Sequence, residues 1–303
     1  MTRVADRAPR RPGTGVPRVG PGRRPRAAAL RTAVATAVAA ATLAGCASAP
    51  RPRAPERPPP LTASSVPPAF PVPGACERMV HLARQEWSLF GSPEVLAQPD
   101  GAARVAFADA GAPTHELHAP MLSRVLVYWY GVSRTPIVGA QGELRPWSAA
   151  FVSWIARGAG YVADEFPQTV LHWDYIERFM RPRAGDAFET RDPLRHAPRV
   201  GDLVCNARDA TVDAGARAAG YLPFASLRRG AYHCDLVVAA QPGEVQVIGG
   251  NVSDVVAMTR VRTAEDGRLL PDPRRPWAAV VARRGTACAP VPPVPPRVPV
   301  PAT

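Results

Sequence analysis

Residues Pro146 to Gly160 read PWSAAFVSWIARGAG. Pro146 suits the first turn of a helix, where a missing N–H costs nothing, and the small and apolar residues after it continue until Gly158 and Gly160 stop the run. The reading is a buried helix, around which the rest of the chain is organised. It places Ser148 at a helix N-terminus. A hydroxyl there has two ordinary uses, capping the free N–H groups or acting as a nucleophile in the positive field of the helix end. Ser is among the preferred capping residues, so downstream residues must decide.

Outward from this stretch, the pattern before it is helical. Cys76 to Phe90 puts Met79, Val80, Ala83, Trp87 and Phe90 on one face, which predicts an amphipathic first helix. Residues 91–119 show no clear period. Met121 to Tyr130, MLSRVLVYWY, is apolar all round and predicts a buried helix, followed by a loop over Arg134 to Arg145. Gln168 to Met180 reads as a further helix with Val170, Trp173, Ile176 and Phe179 or Met180 inward. From residue 200 the period shortens: GDLVCNA, HCDLVVAA, EVQVIGG, SDVVAMTRVR and WAAVVARR are β-rich runs between Gly, Pro and Asp turns, as in an antiparallel sheet. Helices first and strands second predict an α+β fold, with N-terminal helices packed on a C-terminal antiparallel sheet.

The ends of the 303-residue chain are not domain material. Residues 1–60 carry 12 Arg against Asp6 and Glu56, whereas the rest of the chain carries 25 Arg and 23 acidic residues, so the net charge of +12 belongs to the N-terminal tail. It is no sign of a nucleic-acid partner. A basic segment including Arg10, Arg11, Arg23 and Arg24 precedes a short apolar run, Thr32 to Ala44, too short to span a bilayer. The next residues, Leu43-Ala44-Gly45-Cys46, resemble the lipobox of bacterial lipoproteins, in which the Cys is lipidated. The expected organisation is a signal peptide over 1–45, a Pro-rich tether over 46–73, a folded domain over 74–285 and a Pro-rich disordered tail over 286–303.

Cysteine usage fits an exported domain. Apart from Cys46 there are Cys76, Cys205, Cys234 and Cys288, which allow three disulfide pairings in an oxidising compartment. Cys205 and Cys234 fall in two expected strands, and Cys76 and Cys288 at the two ends of the domain, so the expected pairs are Cys205 with Cys234 and Cys76 with Cys288. No CxxC spacing supports zinc. No metal cluster, phosphate loop or nucleotide fingerprint is present either, so no cofactor is expected.

Candidate chemistry comes from three positions. His233 opens the strand YHCDLVV, and Asn251 closes VIGGN, whose glycines permit a tight turn or a close backbone approach. Ser148 on a helix, a His on a strand and an amide on the next strand are the parts of a nucleophile, base and orienter relay. Each has a plainer reading alone: a cap, a hydrogen-bonded strand His and a turn. Asp235 lies two residues beyond His233 on the same face and is an alternative orienter. Asp202 reads as part of a turn.

PWSAAFVSWIARGAG, GDLVC, YHCDLVV and VIGGN resemble, in order, the signature blocks of the papain-like NlpC/CHAP superfamily of bacterial cell-wall peptidases and amidases. The nucleophile block there reads close to WCAAFVSW. The similarity is closest to the bacterial lipoprotein domain-of-unknown-function family 2272, in which WSAAF and HCD recur, and it covers roughly Met121 to Arg262. It implies a helical half packed on an antiparallel sheet with a cleft between. By position it puts Ser148 where the nucleophilic Cys would be, His233 where the base would be and Asn251 where the third polar residue would be. LHWDYI also recurs in that branch, making His172 a possible accessory group, its plainer reading being a helix-flank residue.

Ser in place of Cys is a serious departure, because a hydroxyl needs its proton removed during attack, whereas a thiol is partly ionised near neutral pH. Three readings follow: a working serine hydrolase of peptidoglycan peptides or other amides, a catalytically inactive module binding peptidoglycan or an envelope partner, or a thiol supplied by Cys205 or Cys234. The implied location is the cell envelope, lipid-anchored and facing the periplasm, at the outer membrane because Ala47 and not Asp follows Cys46.

Overall fold

A computed structural model describes residues 73–97, 103–108, 115–208, 211–286, 288–289 and 292–295. The expected signal peptide, Cys46 and nearly all of the tether lie outside the described residues. Among the described residues no helix is long and apolar enough to cross a membrane.

The expected α+β architecture is present: helices lie toward the N-terminal side and an eight-stranded sheet fills the C-terminal part. Helix α1 (Ala75–Leu89) buries Met79, Val80, Ala83 and Trp87, the face its spacing predicts. Helix α2 (Ala119–Val132) buries Met121, Val125, Tyr128 and Trp129 but exposes Val127 and Tyr130. The expectation that it is buried all round is therefore corrected: it offers one face to the core and the other to solvent. Helix α3 (Ser148–Gly158) is the central element, packed against α1, α2 and strands β5 and β6, with Phe151, Val152, Ile155 and Ala156 fully buried. Helix α4 (His172–Met180) starts four residues later than the period suggests. The chain before it is held in a turn in which the Leu171 N–H donates to the Thr169 hydroxyl, and that hydroxyl donates to Asp174.

The sheet runs β2-β1-β7-β6-β5-β4-β8-β3. Its members are β1 (Glu94–Ala97), β2 (Ala103–Ala106), β3 (Phe188–Arg191), β4 (Leu203–Ala207), β5 (Tyr232–Gln241), β6 (Glu244–Val252), β7 (Val255–Arg262) and β8 (Trp277–Arg283). All neighbouring pairs are antiparallel except β1 with β7, which is parallel. The hairpin β1–β2 and the strand β3 have only four residues each, too few for an alternation to register against the surrounding sequence. A short helix α5 (Ala214–Ala219), capped by the Asp213 carboxylate and closed by Gly220 at φ 75°, also escaped the sequence reading.

Both disulfides form as expected. Cys205 and Cys234 face each other in the β4–β5 register, and Cys76–Cys288 ties the start of α1 to the chain beyond β8. The expected disordered tail needs correction where it is described. The Val294 N–H donates to Gln246 Oε1 at 2.8 Å, Gln246 Nε2 donates to the Val294 carbonyl at 2.8 Å, and Arg260 donates to the carbonyls of Val294 and Pro295 at 3.0 Å. The bonded structure therefore continues past residue 285. A Pro-rich segment cannot add a regular strand, but its carbonyls still accept from long side chains.

Candidate functional site

The hydroxyl of Ser148 is the first side chain of α3. The N-cap position belongs to Trp147, which makes no side-chain cap bond, so Ser148 does not serve as the cap. Its Oγ lies 2.7 Å from His172 Nε2. His172 is the first residue of α4, and its Nδ1 bonds to the hydroxyl of Tyr175, one turn along the same helix face. All three groups are buried.

A second histidine system adjoins the first. The rings of His172 and His233 lie 5.6 Å apart between centroids, tilted by 56°. His233 Nε2 is 2.7 Å from Asp235 Oδ1, and the other carboxylate oxygen accepts from Arg275. The guanidinium of Arg275 in turn lies 5.4 Å from the Trp277 ring centroid. His233 Nδ1 is buried and without a hydrogen-bond partner.

The expected direct meeting of Ser148 and His233 is thus not made: one His233 nitrogen is taken by Asp235 and the other is unpartnered. The orienting contact to His233 comes from Asp235, and not from Asn251. Asn251, at φ 55° near the end of β6, lines the cleft beside Ser148 and His172. His172, read as accessory or as a flank residue, holds the hydroxyl. The signal that could have promoted it is the H-x-x-Y spacing of His172 and Tyr175, which puts an imidazole and a phenol on one helix face. Arg275 carried no such signal, since it precedes β8 and reaches Asp235 only through the fold. The thiol reading is overturned, because Cys205 and Cys234 are bonded to each other and fully buried. Asp202 is a turn residue as expected, accepting from the N–H groups of Arg199 and Arg283 at 2.8 Å.

A family model described as "Uncharacterized protein conserved in bacteria (DUF2272)" matches residues 130–283. The chain belongs to this family. The DUF2272 region contains Ser148, His172, Tyr175, His233, Asp235, Asn251 and Arg275, and leaves out α1 and the β1–β2 hairpin. No curated protein and no solved structure matches the chain.

Electrostatics separate the two histidines of this DUF2272 domain. Burial pushes the protonation of His172 well below its usual range, helped by the charges of His233 and Arg208 and opposed by Asp235. Burial likewise pushes the Tyr175 phenol well above its usual range. His172 is therefore neutral at pH 7, with one nitrogen donating and the other accepting. When Tyr175 accepts from Nδ1–H, Nε2 is left with a lone pair for the Ser148 proton. When Tyr175 donates, Nε2–H donates to Ser148 instead. Only the first arrangement makes His172 a base. For Asp235, burial alone would raise the pKa, but the neighbouring His233 and Arg275 hold it far below the carboxylate range. The carboxylate is ionised and fixes the proton of His233 on Nε2.

The two glycines of VIGGN provide close approach and not a turn. A Cβ on Gly249 would fall 1.8 Å from Asp235 Oδ1, and one on Gly250 would fall 2.6 Å from Phe151 Cβ and 2.7 Å from Trp147 Cζ3. They let β6 press against the His233–Asp235 pair and against the root of α3. Gly250→Ala should cost about 1–3 kcal/mol of stability by overpacking, read as a lower urea midpoint; an unchanged midpoint would contradict the close packing.

A cleft of about 820 Å³ opens over Ser148 and His172, walled by Val170, Trp173 and Tyr232, with the exposed side chains of Arg145 and Arg229 also lining it. Trp173 and Tyr232 stack at 5.6 Å. A smaller lobe of about 310 Å³ adjoins it, sharing Arg208, Asn251 and Ser253.

Proposed function

We propose that this chain is an envelope hydrolase of peptidoglycan peptides or other amides, in which Ser148 is the nucleophile and His172, oriented by Tyr175, is its base. The observation carrying this reading is the 2.7 Å bond from Ser148 Oγ to His172 Nε2 at the floor of an open cleft. In the reaction, Nε2 takes the hydroxyl proton as Oγ bonds to the substrate carbonyl carbon. The C–N bond then breaks as the proton passes to the leaving amine, and water releases the acyl group by the reverse relay. The first N–H groups of α3 have no partner within the helix and point toward its start, where an oxyanion would form. Resemblance to the NlpC/CHAP nucleophile and His blocks supports the reaction class. The lipobox at Cys46 supports a lipid anchor, and two disulfides fit an oxidising compartment.

A fluorophosphonate probe should label Ser148 in the wild-type chain, detected by peptide mass mapping, and give no adduct in Ser148→Ala. Absence of labelling on a folded wild-type chain would remove the hydrolase reading.

A second reading has its own observation. His233 is ordered by Asp235 as a papain-like base would be, yet its Nδ1 has no partner. That is the arrangement expected if the ancestral thiol at position 148 has been exchanged for a Ser that turned to His172, leaving a binding cleft without catalysis. Peptidoglycan binding that survives Ser148→Ala, without labelling of the wild type, favours it.

A further inference from the structure

The smaller lobe is built from the end of β4, the start of β5, helix α5 and the loop before β8. Arg208, Arg217, Arg274 and Arg275 all line it, and among the described residues no Asp or Glu does. Arg274 and Arg275 already face carboxylates, Asp272 at 3.6 Å and Asp235. Arg208 and Arg217 are exposed, and among the described residues neither has a carboxylate within ion-pair distance. Four arginines facing two carboxylates among the described residues favour an anion.

Two further atoms narrow the choice. Asn206 Oδ1 and His233 Nδ1 are buried and unpartnered, in residues only 6% and 5% exposed that both line this lobe. They are direct cross-strand partners in the β4–β5 register, so their side chains share one face. With Nε2–H committed to the ionised Asp235, His233 Nδ1 is left without a partner, and the Asn oxygen, which can only accept, has none either. A buried amide oxygen left unpaired is costly, so Asn206 calls for an N–H or O–H donor. Acetate or a halide supplies no donor, and a cation would be repelled by the arginines.

We propose that the smaller lobe binds the free carboxylate end of a peptide or N-acylated amino acid, with Arg208 and Arg217 on the carboxylate and Asn206, beside His233, on the adjacent amide N–H. The lobe has room for one residue and its flanking amide. The site stands on these residues alone and holds whether or not Ser148 turns over.

Titration calorimetry on the purified full chain tests it with four probes: N-acetylalanine, acetate, N-acetylalanine methylamide and inorganic phosphate. N-acetylalanine should bind saturably. Acetate, which lacks the N–H, and the methylamide, which lacks the charge, should each bind at least about tenfold more weakly. The double variant Arg208→Gln/Arg217→Gln should weaken N-acetylalanine by about tenfold or more, while Arg229→Gln, which removes one charge from the larger cleft only, should leave it unchanged. Asn206→Asp, which sets a negative charge beside the ligand, should also weaken it, and the probe comparison does not depend on that variant folding. No saturable heat with N-acetylalanine, equal binding of acid and methylamide, equal binding of phosphate, or equal effects of the Arg229 and Arg208/Arg217 changes would each overturn the proposal.

Discussion

His172→Ala should slow fluorophosphonate labelling of Ser148 by about 10²–10⁴-fold, the range for loss of a positioned general base, while His233→Ala should leave most of the labelling rate. The asymmetry follows from contact: the hydroxyl bonds His172 Nε2, and His233 offers it neither nitrogen. The pH profile supplies an independent check. A base with its protonation held well below the ordinary value stays neutral, and competent, as pH falls through about 6.5, the usual value for histidine. Labelling should therefore stay level through that region and fall only in more acidic solution. A loss centred near 6.5 would mean that His172 is not held neutral as described, and loss of labelling in His233→Ala with retention in His172→Ala would transfer the base role to His233 and require Ser148 to turn toward it. Tyr175→Phe should produce a smaller decrease, because it removes the acceptor that selects the productive tautomer without removing the base.

Asp235→Ala should destabilise the fold by about 3–5 kcal/mol, the cost of leaving one member of a buried charge pair without its partner, read from urea unfolding. Asp235 is fully buried between His233 and Arg275, and the substitution strips the counter-charge from Arg275 and the hydrogen-bond partner from His233. The same carboxylate sets an acid limit. Its folded pKa lies below its unfolded value, so its contribution is complete above the unfolded value, about 3.9, and is lost as pH falls from there toward the folded value. Wild-type stability should thus drop below about pH 4 more steeply than that of the variant. Equal slopes would mean that the carboxylate is not held as described.

Much of the scaffold was legible in the sequence because the residues that build it repeat with a local period. The apolar face of α1, the core run of α3 and the strands β4 to β8 all announce themselves over stretches of five or more residues. The disulfide pairs followed from where those elements fall in the chain. Four-residue strands leave no period to read, and so the β1–β2 hairpin and β3 were missed. Helix α2 looked buried all round because composition reports how apolar a segment is, not how many neighbours arrive to cover it.

The site divides along the same line. By itself the sequence determined that Ser148 begins a core helix, that His233 and Asp235 share a strand face, and that VIGGN brings backbone close to something. Only the tertiary structure decided which histidine meets the hydroxyl. That choice depends on where the turn at Thr169 starts α4, and on Arg275 crossing from the loop before β8 to hold Asp235, and with it His233, away from Ser148. The Ser148–His172 and Arg275–Asp235 contacts join segments 24 and 40 residues apart in the chain, and no local spacing encodes them.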